Sequence, residues 1–254
     1  DWKTLRDTLN YLQNLGVNAI EIMPFNEFEG NSSWGYNTDF HFAPDKYYGP
    51  AKTLKEFIDT CHKRGIAVVM DIVLNHATGL NPLAQLYWNT ATNQPSVNNP
   101  CFNVTANHPC SVFNAFNHER LNTRYYTSRV VEHWLQNYKL DGFRFDLSKG
   151  FTQFNSGNNV GLWSQYDASR VAIWKRYYDT TQLKSPGSYV ILEHFADNQE
   201  ETELSNYGML LWGNLNDNYA QASMGYATPS PGGNTWDFSW GIHTVRNWPN
   251  PHLV

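Results

Sequence analysis

The chain has 254 residues, a net charge of −5 and only 16 % charged residues, so it is long enough to bury a real core in one large domain or two ordinary ones. The acidic balance and the lack of a basic cluster argue against nucleic acid, and no apolar run approaches the ~20 residues of a membrane span. Aromatics make up 15 %, with ten Trp; flat apolar faces beside many asparagines suit a sugar-binding surface, although most rings in any protein pack its core.

The sequence opens on Asp1 and closes on "PHLV" without a turn signal. An excerpt of a longer protein is therefore expected, and a signal segment of a secreted or cell-envelope protein would not be in it. "DWKTLRDTLNYLQNLG" puts Trp2, Leu5, Leu9, Leu12 and Leu15 on one stripe and predicts a helix capped by Gly16. "VNAIEIMPF" reads as a strand ending at Pro24. "TLKEFIDTCHKRG" predicts a helix with Thr53 and Glu56 as a capping box and Gly65 as its stop, with Cys61 as a core thiol. "IAVVMDIVLNH" is a continuous apolar run of the kind seen in buried parallel strands.

Residues 77 to 120 break this rhythm. They are rich in Asn, Pro and Thr, and an inserted, loop-built subdomain is expected there, with 1–76 and 121–254 as the main domain. Cys101 and Cys110 flank an Asn-rich stretch, where a disulfide or two free thiols would both fit. Order returns with "TRYYTSRVVEHWLQNYK" as a helix, "LDGFRFD" as a strand, "YDASRVAIWKRYYDTTQL" as a helix, and "YVILEHF" and "YGMLLWGN" as strands. Residues from about 219 to 251 read mostly as loop, with the start of a sixth strand at the C-terminus.

Alternation of strand and helix fits a (β/α)₈ barrel or a doubly wound sheet. No strand is followed by a glycine-rich phosphate loop. Polar groups instead fall at the C-terminal ends of strands: Asn75 and His76, Arg144 and Asp146, Glu193. Such ends converge on the mouth of a barrel, where active sites sit. The fold expected is an α/β (β/α)₈ TIM barrel, incomplete in this chain.

Arg144 and Asp146 share the phase of a period-two strand in "DGFRFDLSKG", so they point the same way and can pair, which favours an ionised carboxylate. A structural ion pair would account for these two residues as well. Glu193, flanked by apolar residues in "YVILEH", is expected to have a raised pKa suited to a general acid. One ionised and one protonated carboxyl are what glycoside hydrolysis requires.

"DIVLNH" (71–76), "GFRFDLSK" (142–149), "ILEHF" (191–195) and "WGYNTDF" (34–40) resemble, in order and spacing, conserved segments of the α-amylase family, glycoside hydrolase family thirteen. The resemblance implies Asp146 as nucleophile, Glu193 as acid/base and Arg144 as the group orienting Asp146. It further implies that Tyr36 stacks on the sugar, that His76 hydrogen-bonds it, and that Lys149 reaches the leaving-group side. Asn75 would ligate a structural Ca2+. Gly150 departs from the family, which often has His after the lysine. The family's fourth segment, with a His-Asp pair, finds no match, nor does its first strand. The chain as given is therefore expected to be inactive. The implied function is a retaining glycoside hydrolase acting on starch-like α-glucans; a transglycosylase, a disaccharide-remodelling relative or a non-catalytic glycan-binding barrel would share the same residues.

Overall fold

The computed structural model describes residues 1–213, 215–225 and 249–252. Five parallel strands form one sheet in chain order: β1 (Ala19–Ile22), β2 (Ala67–Ile72), β3 (Gly142–Phe145), β4 (Tyr189–Leu192) and β5 (Leu210–Leu211). Chain-order parallel pairing with helical crossovers is the topology of an α/β barrel wall. The five strands match the five expected runs, each shorter than its apolar stretch. The sixth strand expected at the C-terminus reaches residues 253 and 254, outside the described residues, as do residues 226 to 248 of the expected loop. The start of that loop is helical instead, from Asn216 to Ser223.

The first helix is two: α1 (Trp2–Asp7) and α2 (Leu9–Asn14). They part at Thr8, whose hydroxyl donates back to the Leu5 carbonyl (2.7 Å) and whose N–H takes the same acceptor, a local alternative to the regular ladder. Helix α3 (Ala51–Lys63) starts earlier than its expected capping box. Pro50 is its cap residue, so Thr53 lies inside the first turn and donates to the Pro50 carbonyl (2.8 Å). Leu54, Phe57, Ile58 and Cys61 form its buried face. Burial pushes the Cys61 thiol up to about 12, which makes it the inert core thiol expected.

Helices α4 (Leu121–Asn137) and α5 (Ala168–Lys184) cover β3 and β4 with Val130, Trp134, Ile173, Trp174 and Tyr177. Gly142 is required where β3 meets β4, because a Cβ there would stand 2.4 Å from the Tyr189 carbonyl oxygen.

Within residues 77 to 120, regular structure is limited to the helix Pro82–Gln85 and two-residue strands. Ala77, Ala84, Cys101, Phe102 and Phe116 nonetheless make a second apolar cluster. Buried Asn99 ties it together: its Oδ1 accepts from the N–H groups of Cys101 (2.9 Å) and Phe102 (3.0 Å), and its Nδ2 donates to the Leu83 carbonyl (2.9 Å). Asparagine side chains thus supply the hydrogen bonds that a sheet would otherwise provide. All three cysteines are free, Cys101 buried and Cys110 exposed. No helix among the described residues is long and apolar enough to cross a membrane.

Candidate active site

Register brings the polar residues together. Asp71 on β2 and Ile191 on β4 both align with Arg144 on β3, so the guanidinium lies where the three strands meet. Its Nη1 donates to both oxygens of Asp71 (2.9 and 3.0 Å) and to Asp146 Oδ1 (3.0 Å). Its Nη2 lies 3.1 Å from Glu193 Oε2. One cation therefore serves three carboxylates, and with all three ionised the cluster would carry −2. Buried like charges resist joint ionisation. Burial pushes Asp71 up to about 7 against the pull of Arg144. Burial also raises Glu193, opposed by the Leu147 N–H and Arg144 and reinforced by Asp146, which lies within side-chain hydrogen-bonding reach.

The turn after β3 is shaped for this cluster. Leu147 adopts a left-handed conformation (φ 44°), rare for a branched side chain. In that conformation its N–H donates to Glu193 Oε2 (2.9 Å). Trp212, just past β5, covers the guanidinium with its ring centroid 5.0 Å from Arg144 Cζ. Tyr36 donates its hydroxyl to Asp71 Oδ2 (2.8 Å). It is brought there by Gly35 (φ +95°), where any Cβ would strike the Pro24 carbonyl oxygen at 1.9 Å. Asp71, Leu147 and Trp212 were not singled out from the sequence. Asp71 carried a signal, since a carboxylate inside the apolar run "VVMDIV" poses the same problem as Arg144 inside "GFRF".

Asn75 and His76 adjoin the cluster. Asn75 Nδ2 donates to the Asp146 carbonyl (2.9 Å) and to Asp146 Oδ2 (3.1 Å). His76 Nε2 donates to the Tyr36 carbonyl (2.7 Å), its Nδ1 lies against Asn75 Oδ1, and burial lowers its pKa to about 4. Lys149 is not brought to the carboxylates. It is buried, donates to the Phe195 carbonyl (2.9 Å) and Ser164 Oγ (3.1 Å), and rests on the Trp163 ring. It sits in the 3₁₀ turn Ser148–Gly150, with its ammonium held by these oxygens and this ring.

The residues near Asn75 do not fit a calcium cage. Calcium takes six to eight oxygens, carboxylates prominent among them. Asn75 spends its side chain on Asp146 and His76. The carbonyls of Ser148 and Lys149 accept from Trp174 and Trp163. Beside Gly150 stands the imidazole of His108, a nitrogen ligand. Among the described residues, no group of three His, Cys, Asp or Glu could hold an ion.

Fold and site together define an α/β-barrel protein with a carboxylate cluster at the C-terminal ends of its strands. Residues 1–95 match the family model described as "Alpha amylase, catalytic domain". The chain is 26% identical over 259 residues to 1,4-alpha-glucan branching enzyme GlgB of Pseudomonas fluorescens, covering 98% of this chain and 31% of the relative. It is 33% identical over 140 residues to malto-oligosyltrehalose trehalohydrolase of Saccharolobus solfataricus, covering 54% of this chain and 23% of that protein. The structure of Eubacterium rectale Amy13B superposes with a TM-score of 0.72 at 19% identity, over 99% of this chain and 51% of that one. The chain thus spans about a third of the curated relative and half of the solved structure. Its first 95 residues thus resemble an α-amylase catalytic domain, and its fold is that of the solved amylase-type structure.

Proposed function

We propose that the protein cleaves α-glucosidic bonds in starch-like α-glucans with retention, Asp146 acting as nucleophile and Glu193 as acid/base. The observation that supports this most strongly is the pair of carboxyls held by Arg144 within reach of each other, with Glu193 raised in pKa. Retaining enzymes need such a pair about 5 Å apart. The donors from Leu147 and Arg144 both fall on Glu193 Oε2, so the transferable proton belongs on Oε1. Asp146 attacks the anomeric carbon as Glu193 passes that proton to the leaving glycosidic oxygen. The Glu193 carboxylate then takes a proton from water, whose oxygen displaces Asp146. Tyr36 and His76 would border the sugar being cleaved.

Transfer to a second glucan in place of water is the alternative, favoured by the likeness to a branching enzyme. Product analysis from maltoheptaose decides between them. Shorter oligomers alone mean hydrolysis; products longer than the substrate mean transfer; no products from the protein that contains this chain would refute both. Among the described residues, the acids ion-paired with Arg144 are Asp71, Asp146 and Glu193. We propose that residues 1–254 alone turn over little substrate, because the further carboxylate implied by the family resemblance is not among them.

A further inference from the structure

The residues that follow β4, Glu193 to Ala196, are each held from outside their own segment. Glu193 is caught at both ends: the Leu147 N–H takes its carboxyl, and the next N–H, that of Ser148, donates to its carbonyl (3.0 Å). Successive N–H groups converge in this way because Leu147 is left-handed. Ser148 Oγ lies 2.7 Å from the same carbonyl oxygen and 2.8 Å from His194 Nδ1. Lys149 donates to the Phe195 carbonyl (2.9 Å), and the Ala196 N–H donates to Glu201 Oε1 (2.9 Å). Phe195 is itself left-handed (φ 51°), a state that a non-glycine residue keeps only where its surroundings over-determine it.

This anchorage runs back to a sealed interior. His194 Nε2 donates to Glu200 Oε1 (2.7 Å), and Glu200 also accepts from Arg170 Nε (2.6 Å) and Nη2 (2.9 Å). Burial lowers the His194 pKa, so the ring is neutral, with its proton on Nε2 and a lone pair at Nδ1 facing Ser148. Trp174 Nε1 fixes Ser148 from the other side by donating to its carbonyl (3.0 Å). Ser148, His194 and Glu200 share the hydroxyl–imidazole–carboxylate order of an acyl-transfer site, but all three are buried, so no substrate reaches the hydroxyl. What the hydroxyl reaches is the main chain of the proposed acid/base. An acid must lie within hydrogen-bond reach of the oxygen it protonates, and misplacing a reacting group by ~1 Å can cost ~10²-fold in rate.

We propose that Ser148 is a positioning residue for Glu193: its hydroxyl, backed by His194 and Glu200, fixes the main chain from which the acid/base carboxyl projects toward the leaving glycosidic oxygen. The proposal rests on the α-glucan reading above. The Ser148 hydroxyl has one proton and two acceptors, so Ser148→Ala takes one donor from the Glu193 carbonyl and leaves His194 Nδ1 without its partner. Protonation of the leaving group suffers first, because Asp146 is held independently, by Arg144 and Asn75.

The experiment compares two aryl α-maltotriosides of similar shape in the protein that contains this chain. Phenol is a poor leaving group that needs the proton; 4-nitrophenol is a good one that needs it little. For both, kcat/KM measures the barrier from free protein to the first transition state. Ser148→Ala should lower kcat/KM about tenfold more for the phenyl than for the 4-nitrophenyl glycoside, and Glu193→Gln should show the same selectivity with a larger loss. The change to alanine removes one buried oxygen and adds nothing, and circular dichroism checks that the variant is folded. Equal losses on the two glycosides would overturn the proposal, because a merely structural serine would harm both alike. No loss on either would overturn it too. In both cases cleavage by the unsubstituted protein leaves the α-glucan reading standing. If the unsubstituted protein cleaves neither glycoside nor maltoheptaose, both fail.

Discussion

Among the described residues, two arginines are buried against carboxylates, and they are built to opposite ends. Arg170 is sealed: it donates to Glu200 through Nε (2.6 Å) and Nη2 (2.9 Å) and to the Trp163 and Gln165 carbonyls through its remaining donors. His194 Nε2 meets the same Glu200 at 2.7 Å. Burial alone would raise Glu200, but the hydrogen bonds from His194 and Arg170 outweigh it and hold its pKa below the ordinary range. Around Arg144 three acids share one cation, and Asp71 and Glu193 are both raised. A saturated ion pair is a brace. A cluster with surplus carboxylate beside the solvent-accessible mouth is poised to exchange protons.

The largest effect that would sharpen this contrast is in turnover. In the protein containing this chain, Asp146→Asn should lower kcat on soluble starch by on the order of 10⁴-fold or more while the melting temperature moves by no more than about 3 °C. Near-normal turnover would end the assignment of Asp146. The converse holds at the sealed cluster. Glu200→Ala leaves Arg170 and His194 buried without their acceptor and should cost about 3–5 kcal/mol in urea unfolding. A change under about 1 kcal/mol would show that Glu200 is no brace.

The two clusters should also titrate in opposite directions. Asp71 binds its proton more tightly folded (about 7) than unfolded (~3.9), so its stabilising contribution is present below pH ~4 and is lost as pH rises through 7. Glu200 is depressed, so its contribution is present above its unfolded value of ~4.3 and is lost as pH falls through the folded one. Unfolding free energies measured from pH 4 to 8 should therefore decline less in Asp71→Asn than in the parent. The same substitution removes a negative charge near Glu193. The alkaline limb of kcat/KM, set by Glu193 as acid, should move to lower pH. A limb that moves upward would contradict the shared-cation picture. The smallest effect expected is with a chelator: EDTA should shift the melting temperature by less than about 2 °C, and a larger drop would restore a structural calcium to consideration.

Much of the wall was legible in the linear sequence. Continuous apolar runs with polar ends mark buried parallel strands, and period-two phasing alone put Arg144 and Asp146 on one side of β3. The carboxylate of Glu193 was legible for the same reason, as a lone acid closing an apolar strand. Tertiary structure decided what these groups do to one another. Cross-strand register, which no local pattern encodes, set Asp71 against Arg144 and made a two-residue pair into a four-residue cluster. Backbone turns of a few residues aimed the Leu147 N–H at Glu193, swung Lys149 beneath Trp163 and gave the Asn75 amide to Asp146. Residue type and strand phase fix which groups line the mouth; pairing, rotamer and turn geometry, which depend on atoms distant in sequence, fix which of them share a proton.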